Sequence, residues 1–174
     1  MTDGLSCECL MPLAWQAVQL EPNTHLNLMQ ESALLLTALN HIEAAHEHES
    51  AGPENRRLDR IEAKLDLTLH LLARTLEADT APPARILHLT PTGAQWHDLA
   101  PPADGTALIL ELRPSDALPL SLKLPAIAIE AQSDKARVKF TGLTEALDEA
   151  LYQFVFRRHR QAIRARSTPH GPAE

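Results

Sequence analysis

Leucine or isoleucine recurs at Leu58, Ile61, Leu65, Leu69, Leu72 and Leu76, in steps of 3, 4, 4, 3 and 4 residues. Only an α-helix brings side chains with that spacing onto one line, because each of its turns holds 3.6 residues. Leu67 and Leu71 lie off the line, so the apolar face is wider than the narrow seam of a two-stranded coil. Arg57, Asp59, Arg60, Glu62, Lys64 and Asp66 fill other positions and keep the rest of that surface in water. The spacing predicts a heptad helix over 54–81, ended by Pro82-Pro83 because proline lacks the N–H that a helix interior needs. Such a stripe packs either on the chain's own globular part or between copies of the chain, and periodicity weighs the two evenly.

Past the double proline the apolar period drops from near 3.5 to near 2. Short runs at Ile86 to Leu89, Ala94 to Trp96, Thr106 to Leu112, Ala117 to Leu122, Ala126 to Ala131 and Arg137 to Phe140 are separated by turn formers such as Pro91-Thr92-Gly93, Asp104-Gly105 and Arg113-Pro114-Ser115-Asp116. Five or six short antiparallel strands at this spacing predict a small barrel, which leaves no strand edge unpaired. From Thr144 the helical period returns with Leu147, Leu151, Phe154 and Val155, so a C-terminal helix is expected to pack on the barrel. Upstream, Pro22-Asn23-Thr24 offers a helix start and Leu28, Leu35, Leu39 and Ile42 an apolar side, before Ser50-Ala51-Gly52-Pro53 stops the helix. The expected class is α+β: a helical region over 1–53, the heptad helix over 54–81, a small antiparallel β-barrel with its C-terminal helix over 84–166, and a disordered tail over 167–174.

Charge narrows the function classes. The first 55 residues hold eight acidic residues and no Lys or Arg, while the whole chain carries −7. That balance repels nucleic acid, and only the segment from Leu151 to Thr168, with Arg157, Arg158, Arg160, Arg164 and Arg166, could draw a polyanion locally. No uncharged stretch reaches the roughly 20 apolar residues of a membrane span. No secretory leader is visible, and Cys7 and Cys9, too close for an ordinary stapling disulfide, point to a cytoplasmic protein. Aromatic residues are only 3%, so the core must be built of Leu, Ala, Ile and Val, with Trp15 and Trp96 as core or barrel-rim residues.

Several constellations carry no chemistry. His41, His46 and His48 among Glu43, Glu47 and Glu49 contain no pair of histidines one turn apart, so no metal site is expected. Cys7-Glu8-Cys9 lacks both the spacing and the second pair of a zinc knuckle. Neither a nucleophile elbow nor a phosphate-binding glycine loop is present, and the chain is expected not to be an enzyme.

The run Ile86-Leu87-His88-Leu89-Thr90-Pro91-Thr92-Gly93-Ala94, the Asp104-Gly105 turn, Val138-Lys139-Phe140-Thr141-Gly142-Leu143 and the segment Leu147 to Arg164 together resemble the PilZ domains. These are small β-barrels with a C-terminal helix that act in bacterial cyclic di-GMP signalling. Upstream, Glu31 to Glu43 and Asn55 to Leu76 resemble the atypical, tetrameric branch, in which a heptad helix bundles four chains. The resemblance therefore implies that the stripe is a homo-oligomer core, most simply of a tetramer. It also implies partner proteins of a motility or secretion system, with cyclic di-GMP as ligand and no cofactor.

Standard members of that family hold the dinucleotide with an Arg-x-x-x-Arg segment ahead of the barrel and an Asp/Asn-x-Ser-x-x-Gly turn on it. Arginine suits two phosphates and two guanine edges because its guanidinium forks onto both and stacks flat. Here the turn aligns as His88-x-Thr90-x-x-Gly93, which keeps the glycine and a hydroxyl but replaces the acid or amide by imidazole. Arg56-x-x-x-Arg60 has the internal spacing but stands about seven helical turns before the barrel, tens of ångströms away at about 1.5 Å per residue. Arg85 is the only arginine beside the first of these strands. The candidate ligand residues are therefore Arg85, His88, Thr90 and Gly93, with Arg157, Arg158 and Arg160 as a relocated cationic group. The expectation is an adaptor of the cyclic di-GMP receptor type whose nucleotide binding is weak or absent. Its alternatives are a ligand-free oligomeric scaffold and a nucleic-acid module using the C-terminal arginines. If the heptad stripe joins chains, Leu65→Asp with Leu72→Asp releases monomers in light scattering, and a monomeric wild type would remove the idea.

Overall fold

The computed structural model describes residues 5–19, 22–46, 65, 82–115, 121–130 and 134–167. Six antiparallel strands, β1 (Cys7–Ala17), β2 (Ala84–Thr90), β3 (Gly93–His97), β4 (Ala107–Leu112), β5 (Leu122–Ala128) and β6 (Lys135–Phe140), form a closed barrel in the order β1-β2-β3-β6-β5-β4. Two helices, α1 (Pro22–His46) and α2 (Glu145–Ser167), pack on each other and on the barrel. The expected heptad helix lies outside the described residues except for Leu65, which is helical and exposed within the single chain.

β1 corrects the expectation of a helical region over 1–53. Its first half pairs with β2, from Cys7↔Leu89 to Pro12↔Ala84, and its second half with β4, from Leu13↔Leu112 to Ala17↔Leu108. Pro12 stands where the strand changes partner, and there its missing N–H interrupts no ladder. The Pro12 carbonyl still accepts from Arg113 N at 3.1 Å. Continuous apolar residues with a proline among them do not alternate, so this strand gave no period-2 signal. Because β1 precedes α1 and pairs with β2, residues 18–83 form an insertion between two neighbouring strands. Leu13 N and Pro83 O, 3.2 Å apart, close the root of that insertion.

A second correction concerns β5. Two strands were expected, at Ala117 to Leu122 and Ala126 to Ala131, but one strand runs from Leu122 to Ala128 straight through Pro125, and residues 116–120 lie outside the described residues. Of β5, Ala126 to Ala128 pair with β6. Pro125 lies just past that pairing, where its carbonyl accepts from Thr141 N at 3.0 Å and no donor is required of it. One further step along, the Ser32 hydroxyl of α1 replaces the absent strand. It donates to Lys123 O at 2.9 Å and accepts from Lys123 N at 3.2 Å.

Period-2 alternation fills the barrel. Leu87 and Leu89, Leu108, Leu110 and Leu112, Leu122 and Leu124, Trp96 and Val138 are all at most 2% exposed. Each such leucine contributes about 2 kcal/mol of burial. α2 adds Leu147, Leu151, Phe154 and Val155 to the same core. Thr144 caps this helix, its hydroxyl accepting from Leu147 N at 3.4 Å. The chain reverses into it through Gly142, whose φ of 64° suits glycine. In α1 the buried side chains are Met29, Ser32, Ala33, Leu36, Leu39 and Asn40. The buried face is thus turned from the Leu28/Leu35 line toward two polar residues, because both have backbone partners: Asn40 Nδ2 donates to Ala150 O at 2.9 Å. Ser32→Ala would leave both Lys123 backbone groups unpaired and lower stability by about 2 kcal/mol in urea unfolding; an unchanged midpoint would show that water replaces the hydroxyl there.

Candidate functional site

Strand geometry separates the sequence-predicted ligand residues. On β2, Leu87 and Leu89 point into the barrel, and Arg85 shares their parity, whereas Ile86, His88 and Thr90 point outward. Arg85 therefore emerges at one end of the barrel and cannot join the other two on the outer surface.

Its guanidinium is held at that end. Arg85 Nη1 lies 2.7 Å from Asp98 Oδ2 and donates to His97 O at 3.3 Å. Asp98 is buried at 6% exposed, and both indoles, Trp15 Nε1 and Trp96 Nε1, donate to its Oδ2 at 3.0 Å, while Ala100 N donates to Oδ1 at 3.1 Å. Burial alone would raise this carboxyl, but the Trp96 indole, the Ala100 amide, the Trp15 indole and Arg85 outweigh it and hold the group below the ordinary carboxylate range. The node ties β1 to β3 and β2. No sequence pattern singled out Asp98; the available signal was two tryptophans in a chain so poor in aromatics, since buried indoles need acceptors.

His88, Thr90 and Gly93 do meet, in a shallow depression of about 310 Å³ on the outer face, bounded by β2, β3 and β6. Thr90 Oγ1 donates to Gly93 O at 3.0 Å. Gly93 is demanded by packing: a Cβ there would lie 2.3 Å from Val138 O on β6. The same depression receives Arg137 and Lys139, which sequence analysis passed over although β6 alternates cleanly, with Lys135, Arg137 and Lys139 all exposed. Arg137 is paired with Glu130 at 2.5 Å, whose own amide donates to Asp104 Oδ1 at 3.2 Å. The surface thus offers hydroxyls, an imidazole and two cations on one side of a ligand. It does not offer opposed guanidinium forks.

The relocated group disperses as well. Arg157 donates to Asn40 O and stands 3.6 Å from Glu43 Oε2, and Arg158 donates to Glu43 Oε1 at 2.7 Å and to Pro114 O at 3.1 Å. Arg158 also lies over the Phe154 ring, 5.2 Å from its centroid. These two arginines clasp α2 to the end of α1. Arg160 alone faces outward, 5.7 Å from the Phe156 centroid, where Tyr152 and Phe156 stack at 6.4 Å.

The family described as "Atypical PilZ domain, cyclic di-GMP receptor" matches residues 34–167. The chain belongs to that family. No curated protein matches it. Among solved structures it is similar to a pathogenic protein from Xanthomonas campestris described as a tetrameric PilZ domain self-assembled through a helical bundle. The two are 28% identical, with a TM-score of 0.75, over 94% of this chain and 93% of that one.

The Asp98 node yields a signed pH dependence. Its carboxyl lies lower in the folded chain, so its stabilisation is complete above the unfolded value near 4 and fades as pH falls through the folded one. Asp98→Asn is expected to cost about 3 kcal/mol at pH 7, with a smaller gap from wild type at pH 3 in urea unfolding. A constant gap would mean the charge is not what holds the node.

Proposed function

We propose that this chain is a non-enzymatic signalling adaptor that self-associates through its heptad helix and binds cyclic di-GMP weakly or not at all. One observation carries this reading: three of the four candidate arginines are committed elsewhere, Arg85 to Asp98 and Arg157 and Arg158 to Glu43, and only Arg160 of that set faces outward. What remains around Gly93 is a one-sided surface with Lys139 and an ion-paired Arg137. Each absent charged hydrogen bond weakens binding by about 1.5 to 3 kcal/mol, so two or three of them amount to several powers of ten in affinity.

Self-association is supported by the stripe from Leu58 to Leu76 and by the tetrameric helical bundle described for the Xanthomonas campestris protein. With the insertion rooted between β1 and β2, joining four arms would display four barrels and raise avidity for a multimeric partner, such as a motility or secretion apparatus. The exposed Tyr152 and Phe156 on α2 suit contact with a protein partner better than with nucleic acid, given the net charge of −7.

Isothermal titration with cyclic di-GMP is the test. Saturation weaker than about 100 μM, or no heat, is expected; any residual binding should disappear in Arg137→Ala with Lys139→Ala and persist in Arg157→Ala. Submicromolar binding by the wild type would overturn the reading.

A further inference from the structure

The chain has only two cysteines, and β1 sets both on one face, two residues apart, opposite Leu89 and Leu87 of β2. Cys7 is closed off in the core, 4% exposed. Cys9 keeps part of its surface in a cleft of about 290 Å³, whose walls include Met11, Arg113, Ser115 and Arg158. The Cys9 sulfur makes a long contact of 3.7 Å to Leu87 O. One thiol is thus shielded, and its neighbour opens onto a polar cleft with two guanidinium groups in its wall. Reactive cysteines occupy electropositive, partly exposed surroundings of this kind, and sensor thiols stand beside a second thiol that resolves them.

The electrostatics agree with the geometry. The Cys7 thiol is pushed well above its ordinary value, first by its hydrogen bond to Cys9, then by burial, and so keeps its proton. Cys9 is lowered by that same hydrogen bond, against the effect of burial; Arg158 assists and Glu8 opposes. Arg113, just past the end of β4, is the second guanidinium of the cleft, the His159 ring of α2 bonds to Ser6 O, and Glu43 of α1 partly neutralises Arg158.

We propose that Cys9 is an oxidation site for small hydroperoxides and that Cys7 is the thiol that resolves it. The Cys9 thiolate attacks one peroxide oxygen and the O–O bond breaks. The sulfur is oxidised to sulfenic acid, and the other oxygen leaves as hydroxide, or as alkoxide from an alkyl hydroperoxide, beside the two guanidinium groups. The Cys7 sulfur then displaces the hydroxyl of Cys9–SOH; its proton leaves with that oxygen as water, and an S–S bond remains. Residues two apart on a strand are separated by roughly 6.6 Å between Cα atoms, at the upper end of disulfide geometry. The bond is therefore strained and readily reduced by a cellular dithiol, as a reversible switch requires.

Full-length protein treated with hydrogen peroxide should lose both thiols together and two hydrogens in mass, without forming disulfide-linked dimers. In Cys7→Ser, Cys9 should be trapped by dimedone, whereas Cys9→Ser should give no adduct at Cys7. Alkylation of Cys9 at pH 7 should be about tenfold faster than that of glutathione, with a midpoint below the ordinary thiol range, and slower in Arg113→Gln and Arg158→Gln. Should Arg158→Gln fail to fold, the wild-type pH–rate profile and Arg113→Gln decide. Equal labelling of both cysteines, a Cys9 rate no higher than glutathione's, or oxidation yielding only intermolecular disulfides would overturn the proposal.

Discussion

Closure of the barrel by its first strand is the constraint from which the rest follows. β4 and β2 do not pair with each other; β1 bridges them by giving six residues to one and five to the other. Without that bridge two strand edges would stand open and the leucine core would meet water. The same topology fixes where residues 18–83 join the barrel, which they leave from β1 and re-enter at β2.

The cationic side chains hold internal structure together. Arg85 satisfies the buried carboxylate that receives both indoles. Arg157 and Arg158 fasten α2 to α1 through Glu43. In each case a guanidinium sits where its withdrawal would leave a poorly solvated carboxylate without its partner, which is costly.

Family membership and local geometry therefore bear on different parts of the function. Membership in the atypical PilZ family establishes a receptor-type domain, and the closed barrel and its helix agree with it. At Gly93 packing alone demands a glycine, because a Cβ there would lie 2.3 Å from Val138 O.

Much of this was legible in the sequence. Regular alternation marked most of the β2 to β6 core, the 3.6-residue period marked α1 and α2, and Thr144 and Gly142 marked the start of the last helix, since each signal is local and depends only on side-chain direction or backbone freedom. β1 and the unity of β5 were not legible. Proline reads as a breaker along the chain, and whether its missing N–H matters depends on which neighbour stands beside it. The sequence by itself determined that the strand module is leucine-rich and that apolar residues recur at heptad spacing from Leu58 to Leu76. Only the tertiary structure decided that Arg85 faces inward to Asp98, that Arg157 and Arg158 meet Glu43, and that Cys9 shares a cleft with two arginines, because partners brought together from separate parts of the chain leave no period in it.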